Sequence, residues 1–200
     1  MNIKRHAPAA ERNKNPILDV LREFISEPKF VLTIAEGSGQ HVVFFAEHLP
    51  QATFQPTDVD PTALASIAAY VAEGGFPNVR PPLALDAMAE TWPVEHADII
   101  LCINMIHISP WIATEGLFRG AARILPEFGY LITYGPYRFS GEFTAPSNQE
   151  FDASLRGRNP EWGVRDVDDL RMLASAHGLM LEGTVPMPAN NHCLVFARRH

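Results

Sequence analysis

The stretch Val31-Leu32-Thr33-Ile34-Ala35-Glu36-Gly37-Ser38-Gly39-Gln40-His41 constrains the fold of this chain more than any other. An apolar run of strand type ends in a carboxylate and passes into a glycine-rich turn. In this order the first strand of an α/β sheet delivers a nucleotide-like ligand to the turn at its carboxyl end. Gly37 and Gly39 lack a Cβ, so the backbone there can take positive φ and let a ligand approach the amides closely. Glu36 selects among ligands, because a carboxylate receives a ribose hydroxyl or an ammonium and repels a pyrophosphate. A dinucleotide fingerprint would also need glycine where Val42 stands.

Strand and helix patterns alternate through the rest of the chain. Asn15 and Pro16 read as the cap and first position of a helix whose apolar side chains Ile17, Leu18, Leu21, Phe24 and Ile25 recur at helical spacing. The polar residues 1–14 ahead of it read either as a disordered arm or, since they run straight into this helix, as an arm tethered beside the glycine turn and able to close over a ligand. A second strand within 51–60 ends Thr57-Asp58-Val59-Asp60-Pro61. Asp60 before Pro61 is a helix cap, which leaves Asp58 as the ligand contact, about 20 residues beyond the turn, where an acid meets a ribose. Gly74-Gly75 stops the following helix. Pro81 and Pro82 remove ladder donors, so the short strand at 83–85, which finishes at Asp86, lies at an edge.

Residues 97–104 are almost wholly apolar after the first acid and read as a buried parallel strand running into Asn104, Met105 and His107. A helix over 113–125 and a strand over 129–134 follow. Residues 135–166 break the rhythm, mixing aromatics with both charge signs, and are expected to form a substrate cap. Within and beside this segment, Tyr134, Tyr137, Asn148, Asp152 and Arg165 are candidate substrate contacts, against the alternative of helix capping or loop bracing. Asp166 caps a last helix, and two strands over 179–185 and 193–197 pair as an antiparallel hairpin. The pattern predicts one α/β domain over residues 1–200, with a mostly parallel seven-stranded sheet, helices on both faces and an antiparallel C-terminal hairpin.

Acidic residues outnumber basic ones by 23 to 16, which argues against a dedicated nucleic-acid binder. Cys102 and Cys193 read as reduced thiols of a cytoplasmic protein. No apolar run approaches the roughly 18 residues of a membrane span. The histidines show no metal-ligand spacing, so no metal is expected, and Ser38 lacks the frame of a nucleophile elbow.

Glu36 before the glycines, Asp58 ending strand two, Asp86 ending strand three and an apolar strand four ending at Asn104 together resemble the class I S-adenosylmethionine-dependent methyltransferases, a Rossmann-like sandwich. More narrowly, the segments Ala7-Pro8-Ala9-Ala10-Glu11-Arg12-Asn13 and Gln55-Pro56-Thr57-Asp58-Val59-Asp60 look like the DUF938 family of methyltransferase-like proteins. So do Ser147-Asn148, Phe151-Asp152, Asn159-Pro160, Trp162-Gly163 and Arg165-Asp166.

The resemblance implies that Glu36, Gly37, Ser38 and Gly39 line the methionine and ribose portion of the cofactor. Asp58 would take the ribose hydroxyls, Val59 would pack on the adenine, and Asp86 with Ala87 would bind the adenine edge. The Asn104 carbonyl, with Met105, would sit near the sulfonium. Apart from the resemblance, Arg12 is a candidate partner for the cofactor carboxylate, against the alternative of an exposed arginine with no role. Glu36 is one methylene longer than the aspartate commoner in such enzymes. The implied activity is methyl transfer to a small-molecule acceptor, with S-adenosylhomocysteine as product. The alternative is a non-catalytic, cofactor-binding module that acts through a protein partner. For an acceptor that must lose a proton, His107 is the candidate general base, or else a structural rim histidine. Monomer and homodimer are both compatible with the sequence.

Overall fold

A computed structural model describes residues 3–199. Met1 and Asn2, the start of the expected arm, lie outside the described residues, as does His200. Side-chain alternation along the central strands builds the architecture. In β1 (Lys29–Ile34), Leu32 and Ile34 enter one apolar cluster and Val31 the opposite one. The first cluster takes Leu117, Phe118 and Ala121 of one helix and Leu170 and Ala174 of another. The second takes Ile17 and Leu21 near the amino terminus, Val42 and Phe45 after the glycine turn, and Ile67. Helices therefore cover both faces of the sheet, as period-2 strands that are apolar on both sides require.

In chain order the elements are α1 (Pro8–Phe24), β1, α2 (Gln40–His48), β2 (Ala52–Asp58), α3 (Pro61–Gly74), β3 (Leu83–Ala84), β4 (Ile99–Ile103) and α4 (Trp111–Ile124). There follow β5 (Tyr130–Phe139), β6 (Glu142–Phe143), α5 (Pro146–Arg158), β7 (Arg165–Asp166), α6 (Val167–Ala176), β8 (Leu179–Met187) and β9 (Asn191–Arg198). The sheet order is β3-β2-β1-β4-β5-β9-β8. The pairs from β3 to β5 are parallel, and β9 runs antiparallel to both β5 and β8. The seven strands of this path, mostly parallel, agree with the expected fold class, as do the edge position of β3 and the antiparallel C-terminal hairpin. The short β6 and β7 pair with the far end of β5.

Two boundaries differ from expectation. α1 begins at Pro8, not Pro16, with Ala7 as its extended N-cap, so Asn15 and Pro16 lie inside the helix. Pro16 has no N–H for the carbonyl of Arg12, but its fixed φ is helical, and the burial of Ile17, Leu18 and Leu21 holds the turn in place. The arm is anchored as well. Arg5 N–H donates to Ser66 Oγ at 2.8 Å, and Ala7 N–H donates to Gln40 Oε1 at 2.6 Å.

The second difference lies at 135–139, which continue β5 instead of opening the cap. β9 supplies ladder partners as far as the Pro136–Asn191 pair. Gly135 is required there, because a Cβ would sit 2.3 Å from His107 Nε2. The rest of the expected cap is ordered as β6, α5 and β7. Among the described residues, no helix is long and apolar enough to cross a membrane.

Candidate functional site

The strand order reverses at β1, whose neighbours β2 and β4 lead away in opposite directions, and a crevice opens beyond their carboxyl ends. The backbone is wound unusually there. Ala35 at the end of β1 (φ 53°) and Asn104 at the end of β4 (φ 63°) are both left-handed without being glycine, a conformation costing roughly 1–2 kcal/mol each. Such cost is tolerated where the surroundings fix it, and ligand sites are where it gathers.

Glu36 is the centre of the turn. Its Oε1 accepts the N–H of Val42 at 2.8 Å, in the first turn of α2. Burial pushes its carboxyl up to about 7, with the Val42 bond opposing. Asp58 ties the neighbouring turns together: Oδ2 accepts Gly37 N–H at 2.8 Å and Oδ1 accepts Asp60 N–H at 2.9 Å. Asp60 caps α3 as expected, accepting Thr62 N–H at 2.8 Å, and Arg5 of the arm reaches it at 2.7 Å. Asp86 Oδ1 accepts Met88 N–H at 2.8 Å. In each case the carboxylate orders backbone and keeps further lone pairs for a ligand.

Three cavities run side by side along this crevice. One of about 190 Å³ is lined by Glu36, Gly37, Ser38, Asn104 and the arm residues Ala7 and Ala10. A second of about 540 Å³ is lined by Gly37, Asp58, Val59, Asp86, Ala87 and Met105, among others. A third of about 640 Å³ lies between α1, α5 and the β8–β9 turn. Ile108 borders all three, and Asn104 borders the first and the third.

The expected cofactor residues are thus brought together, with two exceptions. Gly39 lines neither of the first two cavities. Its φ of 95° and the close approach of α3 explain the glycine, since a Cβ would lie 2.8 Å from Ile67 Cα. Arg12 borders the third cavity instead of the first two. The Asn104 carbonyl already accepts His107 N–H at 3.1 Å.

Of the candidate substrate contacts, Tyr134 and Asn148 line the third cavity, and Asn148 is held there by its bond to the Asn190 carbonyl at 2.9 Å. Tyr137, Asp152 and Arg165 line none of the three. Tyr137 is fully buried and donates to Thr133 Oγ1 at 2.8 Å. Asp152 accepts Val164 N–H at 2.7 Å and Arg156 Nε–H at 2.8 Å. Arg165 donates to the carbonyls of Ile106 at 2.9 Å and Ser109 at 2.7 Å, bracing the chain after β4.

His107 also lies outside these cavities. It is 1 % exposed, edge-on to Tyr137, with Nδ1 accepting Arg165 N–H at 3.4 Å. Burial, and then the Arg165 charge, push its imidazole down to about 3.

Sequence reasoning passed over Asn13, His41 and Ile108. His41 Nε2–H donates to Asn13 Oδ1 at 2.7 Å, and burial lowers the imidazole to about 4. These two residues lie on different helices, so no local pattern could join them.

Residues 4–198 match the family described as "Protein of unknown function (DUF938)". The chain belongs to the DUF938 family. Solved structures place this DUF938 chain among the class I methyltransferase folds. It is similar to an O-methyltransferase family 2 protein from Planctomyces limnophilus DSM 3776, solved with apigenin, at 21% identity and a TM-score of 0.81. The match covers 96% of this chain and 58% of that one. It is similar to the S-adenosylmethionine-dependent methyltransferase SibL at 18% identity and a TM-score of 0.79, covering 96% of this chain and 56% of SibL. The YcgJ protein of Bacillus subtilis matches at 17% identity and a TM-score of 0.68, covering 92% and 96%. The DUF938 chain therefore spans a little over half the length of the Planctomyces protein and of SibL.

Proposed function

We propose that the protein is an S-adenosylmethionine-dependent methyltransferase acting on a small molecule. The observation that carries this reading is an acid-lined crevice at the sheet's switch point that joins a separate cavity across Asn104 and Ile108. The residues fit the cofactor. Glu36 is a buried carboxylate with no cationic partner among the described residues, so an ammonium or sulfonium would supply the charge it lacks. A Cβ on Gly37 would meet nothing within 4 Å, so the turn keeps open space for a ligand. Asp58 and Asp86 present acceptors for hydroxyl and amine donors, and none of the acids favours a phosphate.

When bound, S-adenosylmethionine supplies a methyl group on a positively charged sulfur. The chain's own work is to hold the acceptor in line with that methyl at near-attack distance and to keep water out. Ile103 and Ile108 wall the junction with apolar surface, and the arm through Ala7 and Ala10 covers the smaller cavity. The buried thiols Cys102 and Cys193, unpaired in the structure, fit a reducing cytoplasm.

Calorimetry with S-adenosylhomocysteine tests the reading. Saturable one-to-one binding is expected, and Asp58→Asn should weaken it by about 1–3 kcal/mol through loss of charge-assisted bonds. No heat of binding at near-millimolar ligand would reject the assignment.

A further inference from the structure

The third cavity constrains the methyl acceptor, given the methyltransferase reading on which this inference rests. Its volume of about 640 Å³ suits a drug-sized organic molecule. Much of its wall is apolar, from Pro16, Ile108, Pro136, Phe151 and Pro188. The polar lining is neutral apart from one charge, the guanidinium of Arg12. Among the described residues no aspartate, glutamate, histidine, lysine or cysteine lines it, and no carboxylate is paired with Arg12. Ser147 and Asn148 come from the first turn of α5, the electropositive end of that helix.

The neighbouring titratable groups do not supply a base. Tyr134 lines the cavity, but burial raises its phenol, so it stays protonated at neutral pH. His41, behind Asn13, commits Nε2–H to the Asn13 oxygen. His107 packs against Gly135, does not line the cavity, and is a weak proton acceptor, its imidazole pushed down to about 3 by burial. Glu36 faces the smaller cavity and spends Oε1 on Val42.

From the single uncompensated cation and the lack of a general base in the lining, we infer that the acceptor is a largely apolar organic anion whose ionised atom is itself the nucleophile. Carboxylates, thiolates and acidic phenolates share that chemistry. A lone pair of the anion forms the new bond to the methyl carbon while the carbon–sulfur bond breaks and its electron pair returns to sulfur. The positive charge of the sulfonium and the negative charge of the acceptor disappear together. No proton is released, so no base is needed. Arg12 orients the incoming anion, and the apolar wall holds its hydrocarbon part.

The test uses the full-length protein, with S-adenosylhomocysteine calorimetry run first so that failure of the cofactor reading is seen separately. Labelled methyl transfer is then measured to phenylacetate, thiophenol and para-nitrophenol, and to the size-matched benzylamine and benzyl alcohol. At least one anion should be methylated and neither neutral-nucleophile probe should be. The rate with nitrophenol should track its own ionised fraction across pH. Arg12→Gln should raise KM for the methylated anion about tenfold, with Arg12→Lys recovering part of the loss, and leave S-adenosylhomocysteine affinity within about twofold. Methylation of the amine or alcohol at a comparable rate overturns the inference. So does a protein that binds S-adenosylhomocysteine and methylates none of the anions. If Arg12→Gln weakens S-adenosylhomocysteine binding and leaves KM for the acceptor unchanged, Arg12 serves the cofactor carboxylate and the charge argument falls.

Discussion

Glu36 carries a conflict between stability and binding. Its folded carboxyl titrates near 7 against an ordinary 4.5, because burial disfavours the charged form. Between those values the folded chain holds a proton that the unfolded chain has released, so stability falls as pH rises through the window and levels off above 7. Glu36→Gln removes the penalty while keeping an oxygen for Val42. Urea denaturation above pH 7 should show this variant stabilised by up to about 3 kcal/mol, and calorimetry should show weakened cofactor binding. A destabilised variant would mean that the charge is already compensated in the folded protein. The sequence shows a carboxylate at this position and so suggests a cationic ligand. Its protonation is not legible there, since burial depends on α1 and α2 folding over the turn.

At the scale of elements, two glycines of one turn prove to serve different ends. Gly37 faces open cavity at φ 72°, and Gly39 sits at φ 95° against the backbone of Ile67 in α3. Gly39→Ala combines left-handed strain with a backbone clash and should cost about 3 kcal/mol in urea denaturation. Gly37→Ala meets no neighbour and should cost only about 1 kcal/mol, yet its methyl would enter the cavity and lower the affinity for S-adenosylhomocysteine. Equal destabilisation of the two variants would reject this division. The sequence marks both as turn glycines and cannot separate them, because the discriminating contact comes from a helix 28 residues further on at Ile67. Pro16 shows the same limit. Asn-Pro before an apolar periodicity is a fair helix start, but the arm contacts to Ser66 and Gln40 let the helix begin a full two turns earlier.

For the molecule as a whole, the buried imidazoles set the acid side of stability. His41 and His107 are held near 4 and 3 against an ordinary 6.5, chiefly by burial. A histidine with a lowered folded value contributes stability above its unfolded value and loses it as pH falls. Glu36 works in the opposite sense from pH 7 down to 4.5. Towards the middle of the range from pH 6.5 to 4.5 the unfolded chain therefore holds about two protons on these imidazoles where the folded chain holds one on Glu36. Stability should fall by about 1 kcal/mol per pH unit on acidification. Urea midpoints at pH 6.5 and pH 5 measure this directly, and an unchanged or rising midpoint would show that one of the imidazoles is accessible to protons in the folded state.

The sequence alone determined the alternation of strands and helices, the antiparallel hairpin at the end, the edge at the proline pair before Leu83 and the acids that end the first three strands. These follow from patterns of period 2 and 3.6 and from caps such as Asp60 and Asp166, all of which act within a few residues. Only the tertiary structure decided which side chains face the crevice. Tyr137, Asp152 and Arg165 were candidates by chemistry and position, but Tyr137 is buried against the Thr133 hydroxyl, and Asp152 and Arg165 brace backbone at Val164 and Ile106. Asn13 joins His41 across two helices, and Arg12 stands alone at a cavity built from α1, α5 and the last hairpin. A side chain's direction and its burial depend on elements far apart in the chain, and no local spacing records them.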